Sequence, residues 1–192
     1  GNWGGMRPGE SRPDSMLGQM ELIGDLVAAG TLDIDKGLGK DVGAALSNSD
    51  RIAKIAFTGS TPTGKMSAHA AAEHLIPATL ELGGKSPNIF FAYVMDHDDD
   101  YLDKAIEGFT MFALNQGQIC SCPSRALVHE SIYEKFIERA LPRIKAIRQG
   151  NPLDPNTMMG AQNSHGHQEK ILSYIDIGKQ EGAELLTGGA RP

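Results

Sequence analysis

Three short stretches hold residue types that covalent chemistry requires: Cys120 in Gly117-Gln118-Ile119-Cys120, Glu81 just ahead of Gly83-Gly84, and the turn Phe57-Thr58-Gly59-Ser60. A thiolate is a strong nucleophile, and a carboxylate held in a cleft can take a proton from water. Cys120 follows the end of a helical stretch, in a loop whose backbone amides could hold an oxyanion. Glu81 alternates with Leu80 and Leu82 in an apolar strand. That pattern favours a side chain on the strand's solvent face and leaves a base in a cleft as the alternative. A cysteine and a glutamate on different elements could supply nucleophile and base, although spacing alone does not bring them together.

The Phe57–Ser60 turn lies where a buried strand feeds a helix. Gly59 lets the backbone approach a ligand closely, the amides at the helix start attract anions, and Ser60 adds a hydroxyl. A pyrophosphate fits there. On these residues alone, a plain strand-to-helix turn with a serine cap is the commoner explanation. No G-x-G-x-x-G follows a strand, so a dinucleotide site would be a variant of the usual scheme.

The other cysteine, Cys122, is separated from Cys120 by Ser121 alone. So short a spacing disfavours a disulfide, and no further cysteine completes a zinc site. Two buried thiols is the alternative to a reactive Cys120, and a reduced, cytoplasmic protein is expected either way. The six histidines form no paired ligand spacing and are expected on the surface. Asp96 to Asp100 reads as the solvated start of a helix rather than a cation loop.

Alternating elements must position these groups. Residues 1–20 read as loop, 21–29 as a helix stopped by Gly30, and 33–43 as a glycine-punctuated loop. A strand over 52–57, a helix over 62–73 and a strand over 77–82 follow. Residues 88–94 form a strand apolar enough for burial on both faces. A helix then carries Leu102, Ala105, Ile106, Phe109 and Phe112 on one face, ended by Asn115-Gln116-Gly117. After a strand at 126–128, Ser131 is expected to cap a helix with Phe136, Ala140 and Ile144 on its stripe, ending near Gly150. A loop over 151–164 and a helix over 165–181 close the chain. Strands alternating with helices predict an α/β protein with a largely parallel sheet.

The bulk properties agree. Of 192 residues, 40% are hydrophobic and 22% charged, as in an ordinary globular protein. The net charge of −6 argues against nucleic acid as the main partner. The longest apolar run, Ile89 to Met95, is far short of the ~20 residues that span a bilayer, and no secretory pattern opens the chain.

Taken together, Phe57-Thr58-Gly59-Ser60-Thr61-Pro62-Thr63-Gly64, Leu80-Glu81-Leu82-Gly83-Gly84-Lys85-Ser86-Pro87-Asn88 and Asn115-Gln116-Gly117-Gln118-Ile119-Cys120 closely resemble the aldehyde dehydrogenase superfamily. The last two are similar to its glutamate and cysteine active-site signatures, in the same order. Cys120-Ser121-Cys122-Pro123 and the acidic stretch before the cysteine helix look most like the bacterial acetaldehyde-type branch.

The resemblance implies oxidation of an aldehyde to a carboxylic acid, with hydride transfer to NAD or, less favoured, NADP. Cys120 would be the nucleophile and Glu81 the base that activates the hydrolytic water. Phe57, Thr58, Gly59, Ser60, Gly64 and Leu82 would line the cofactor's path. Arg7-Pro8-Gly9-Glu10 would stand where the family has Lys-Pro-x-Glu, so Arg7 and Glu10 would meet the adenosine ribose. Glu10 there would favour a 2′-hydroxyl over a 2′-phosphate. The fold implied is aldehyde-dehydrogenase-like, with part of a Rossmann-type cofactor domain over 1–82 and part of an α/β catalytic domain over 83–192. A homo-oligomer is implied for the full-length protein, with no nucleic-acid or membrane partner. The competing expectations are a non-catalytic member kept for structure or binding, and a cysteine thioesterase that needs no nicotinamide.

Overall fold

The computed structural model describes residues 4–9 and 13–191. The chain divides into two compact units, Gly1–Leu82 and Gly83–Pro192.

In the first unit, β1 (Gly4–Met6) pairs in parallel with β2 (Leu32–Ile34). The sequence pattern predicts loop at both places. The ladder is a main-chain affair: Gly4 N–H donates to the Thr31 carbonyl and Asp35 N–H to the Met6 carbonyl, each at 2.9 Å. With glycine at two of its three positions, β1 carries no side-chain alternation to read. The first helix, α1 (Asp14–Ile23), begins well before the expected Glu21. Pro13 precedes it with φ −77°, and Asp14 stands in its first turn, where a carboxylate favours the positive helix end. A π-helical turn at Gly39–Gly43 leads into the short α2 (Ala44–Ser47), again within a stretch expected to be loop.

The rest of this unit follows the sequence pattern. Strand β3 (Ile55–Thr58) leads into α3 (Thr61–Glu73), which returns to β4 (Ala78–Glu81), parallel to β3. The buried positions of α3 are Gly64, Ser67, Ala70 and Ala71. Their spacing of three and four residues puts them on one face, and their small size lets that face lie close to its neighbours.

In the second unit, β5 (Pro87–Phe90) pairs in parallel with β6 (Arg125–Val128). The strand expected to reach Val94 stops at Phe90, and Ala92–Met95 form a 3₁₀ helix. Burial on both faces is not observed: Phe90 is 5% exposed and its neighbour Ile89 54%. Helices α4 (Asp100–Thr110) and α5 (Tyr133–Lys145) supply the rest of the core, in which Phe90, Val94, Leu102, Ile106, Phe136 and Ala140 are all buried.

The acidic stretch does specific work at the start of α4. Asp99 accepts hydrogen bonds from the backbone of Tyr101 (3.0 Å) and Leu102 (3.2 Å), a helix N-cap. Asp98 pairs with Arg139 at 2.7 Å and Asp103 with Arg143 at 3.0 Å, tying α4 to α5 at the surface. The cap expected of Ser131 belongs to His129, whose Nδ1 accepts from Ser131 N–H ahead of a 3₁₀ turn at Glu130–Ile132. Pro142 lies within α5, which ends at Lys145 rather than near Gly150. The last helix, α6 (His165–Gln180), is capped by Ser164. Among the described residues every named strand pair is parallel, in three separate two-stranded sheets, and no helix is long and apolar enough to cross a membrane.

Candidate functional site

The register of β3 and β4 sets the first half of the site. Phe57 stands opposite Leu80 and Thr58 opposite Glu81, so the two strands deliver the turn and the glutamate at the same sheet end. Gly59 N–H donates to the Glu81 carbonyl at 3.0 Å, which ties the turn to the glutamate's backbone. The Glu81 side chain is exposed, as its alternation with two leucines predicts.

Ser60 is the N-cap of α3, with extended backbone (φ −71°, ψ 146°) and a side chain that accepts from Thr63 N–H. Its hydroxyl also lies 3.0 Å from that of Thr63. The backbone donors at this end are partly committed: Gly59 N–H to Glu81, Gly64 N–H to the Ser60 carbonyl, and Thr63 N–H to the Ser60 hydroxyl. Pro62 has none. An anion here would therefore be met more by the Ser60 hydroxyl and the helix dipole than by a full ring of amides. Gly64 is buried, and a Cβ on it would stand 2.5 Å from Leu82 Cδ2. Only glycine lets α3 lie this close to Leu82.

The guanidinium of Arg7 donates to the Gly37 carbonyl at 2.5 Å, and its side chain passes Gly43, where a Cβ would be 3.6 Å away. The arginine is thus seated on the 37–43 segment. Glu10, the expected ribose contact, lies outside the described residues.

The second half of the site is the loop after α4. The chain passes through an extended Leu114 and then three successive left-handed residues: Asn115 (φ 49°), Gln116 (φ 57°) and Gly117 (φ 72°). Glycine adopts this conformation freely and asparagine tolerates it, but glutamine seldom does. Such backbone persists only where the surroundings fix it, and it gathers at functional sites.

The two cysteines then part company. Cys120 is exposed, whereas Cys122 is 6% exposed and its Sγ donates to the Phe112 carbonyl at 3.0 Å. A pair of buried thiols is therefore not what forms. Cys122 N–H also donates to the Ile119 carbonyl at 3.2 Å, closing a tight turn around Cys120. A Cβ on Gly84 would stand 2.9 Å from the Cys120 carbonyl oxygen, so the glycine pair after β4 admits the cysteine loop against the main chain. Glu81 belongs to the first unit and Cys120 to the second.

Several contributors gave no readable signal. Gln162, more than forty residues along, bridges Gln116 and Gln118 with its carboxamide. Nothing local marks it, because it sits in an irregular stretch with no period. Gly84 was legible as a strand breaker, but not as the point of close approach to Cys120. Among the described residues no group of three or more His, Cys, Asp or Glu side chains is placed to hold a metal ion.

Comparison with known proteins gives a consistent result. A model described as the aldehyde dehydrogenase family matches residues 1–192. An aldehyde dehydrogenase of Paracoccus denitrificans (strain Pd 1222) is 59% identical over 189 residues, 98% of this chain and 37% of that protein. Acetaldehyde dehydrogenase 2 of Cupriavidus necator is 58% identical over 191 residues, 100% of this chain and 38% of its own length. An aldehyde dehydrogenase from Bacillus cereus, solved as an NAD+ complex, matches with TM-score 0.90 and 38% identity, covering 98% of this chain and 38% of that one. The chain thus spans well under half the length of the proteins it resembles.

Proposed function

Because the chain belongs to the aldehyde dehydrogenase family, we propose that its whole protein oxidises an aldehyde to a carboxylic acid with NAD as hydride acceptor, and that Cys120 and Glu81 carry the covalent steps. The observation behind the assignment is the unlike treatment of the two thiols. Cys120 is exposed in a turn held by unusual backbone, while Cys122 is buried and bonded to the Phe112 carbonyl.

In this reading the Cys120 thiolate attacks the aldehyde carbon and forms a thiohemiacetal, whose oxyanion is met by backbone amides of the loop. Bound NAD supplies the hydride acceptor. Loss of that hydride from the thiohemiacetal carbon leaves a thioester on Cys120. Glu81 then takes a proton from water as the water attacks the thioester carbonyl. The carboxylic acid departs and the thiolate is restored.

The residues proposed to hold NAD fit a dinucleotide in chemistry. Gly59 and Ser60 are exposed at the start of α3, where a hydroxyl and a helix dipole favour a pyrophosphate. Gly64 and Leu82, packed together, support that end of the helix, and Phe57 and Thr58 lead into the turn. Arg7 and Glu10 are assigned to the adenosine ribose, where Glu10 would accept from a 2′-hydroxyl and repel a 2′-phosphate. NAD is therefore preferred to NADP.

The test is NADH formation from an aldehyde by the full-length protein. Cys120→Ala should abolish it and Cys122→Ser should retain most of it. Loss with Cys122→Ser and retention with Cys120→Ala would overturn the assignment.

A further inference from the structure

We propose that Gln162 is a positioning residue for Cys120, clamping the loop ahead of the thiol through Gln116 and Gln118. This rests on the reading of Cys120 as the nucleophile.

Gln162 Nε2 donates to the Gln116 carbonyl at 3.2 Å, and its Oε1 accepts from Gln118 Nε2 at 3.1 Å. The orientation of the amide follows from chemistry: a backbone carbonyl can only accept, so the nitrogen must face Gln116 and the oxygen Gln118. One carboxamide therefore spans the left-handed stretch on both sides of Gly117 (φ 72°). The same segment grips Gln116 again. Its side-chain oxygen accepts from Gly160 N–H at 2.9 Å while its nitrogen donates to the Asn115 carbonyl at 3.0 Å. A Cβ on Gly160 would stand 3.3 Å from Gln116 Nε2, so glycine is needed for the approach.

The clamp is itself anchored. Gly150 N–H donates to the Met159 carbonyl at 3.0 Å, and Met159 N–H donates to the Arg148 carbonyl at 3.0 Å. This fixes the 159–162 stretch to the chain that leaves α5. On the far side of the nucleophile, Cys122 is held by the Phe112 carbonyl. Cys120 is the exposed residue between two fixed points, only two positions beyond Gln118. Loosening the upstream point lets the thiol and its neighbouring amides drift from their attacking geometry. That slows chemistry while leaving the binding of NAD and aldehyde intact.

The experiment uses the full-length protein with Gln162→Ala, Gln162→Glu, Gln118→Ala, the Gln118→Ala/Gln162→Ala double variant, and Cys120→Ala. Steady-state kinetics are measured beside the rate at which iodoacetamide labels Cys120, mapped by peptide mass. Gln162→Ala should lower kcat about tenfold, inside the ~100-fold that a misplacement of about 1 Å can cause. KM for aldehyde and NAD should stay within about twofold, as expected when ground-state binding is untouched. The Cys120 labelling rate should change with kcat. Gln162→Glu, which keeps the acceptor for Gln118 and loses the donor to Gln116, should fall between. The double variant should be no slower than the worse single variant, because both remove one interaction. Wild-type kcat and labelling in Gln162→Ala, or losses that multiply in the double variant, would overturn the clamp. Turnover by Cys120→Ala would instead overturn the nucleophile reading. The labelling rate, which needs no turnover, tests the clamp separately.

Discussion

Phe136 is completely buried at the centre of the second unit's core. Its ring centroid lies 4.6 Å from that of Phe90 and 5.4 Å from that of Phe109. Phe109 in turn meets Phe112 edge-on at 6.1 Å, and the Phe112 carbonyl holds Cys122. The core is thus continuous with the support of the cysteine loop. Phe136→Ala loses roughly 1.5–3 kcal/mol of side-chain burial and about 1 kcal/mol for each of the two ring pairs. The total, roughly 4 kcal/mol, sits inside the ~3–5 kcal/mol typical of buried Phe→Ala changes. Phe136→Leu keeps an apolar side chain and forfeits the rings, so it should cost roughly 1–2 kcal/mol. Tyr93, Tyr101, Tyr133 and Tyr174 all lie in the second unit and Trp3 in the first. Urea unfolding of this chain followed by tyrosine emission therefore reports the unit concerned, and tryptophan emission serves as the control. A Phe136→Ala loss below about 1.5 kcal/mol, ordinary for a surface or half-buried site, would refute this picture of the core.

Other perturbations test the site and its supports. Gly84→Ala would drive a Cβ to 2.9 Å from the Cys120 carbonyl; the loop should shift and the iodoacetamide labelling rate of Cys120 should change, with Gly83→Ala, where nothing lies within 4 Å, as the neutral comparison. Asp99→Ala removes the cap on Tyr101 and Leu102 and should destabilise the second unit by ~1 kcal/mol in the same urea assay. Tyr101 titrates above its ordinary value because of a hydrogen bond with Tyr93, with partial desolvation and the Tyr93 charge behind it. The folded state therefore holds that proton to higher pH. The bond's support is present below the ordinary tyrosine range and lost as pH rises through the elevated value. Tyr93→Phe should bring the Tyr101 titration down, as read by ultraviolet difference spectra.

The β3–α3–β4 unit, α4 and α6 were legible because each carries a strong signal. A buried strand runs into a Gly-Ser turn, Leu102 and Ile106 share a helical face, and Ser164 starts a periodic run. β1 was not legible, since Gly4 and Gly5 pair through main-chain groups alone. α1 was misjudged at its start because Pro13-Asp14 outweighed the weak apolar pattern around Gly18. The strand at 87–90 was drawn too long: its apolar run continues through Val94, but the backbone leaves the sheet after Phe90 and coils into a 3₁₀ turn. In the site, Cys120 and Glu81 were visible from residue type and neighbouring glycines. The Gln162 bridge was not, because it joins positions far apart in sequence through amides with no periodic signature.

The account's central claim is that Cys120 carries the acyl group and Glu81 directs water to release it. Glu81→Gln in the full-length protein keeps the size of the side chain and removes the base. Mixed with NAD and an aldehyde, quenched in acid and digested, this variant should show the acyl group accumulated on the peptide bearing Cys120, with fragmentation placing it on that sulfur. One equivalent of NADH should form before the reaction stalls. Acylation of Cys122, or sustained turnover with Cys120 unmodified throughout, would contradict the claim.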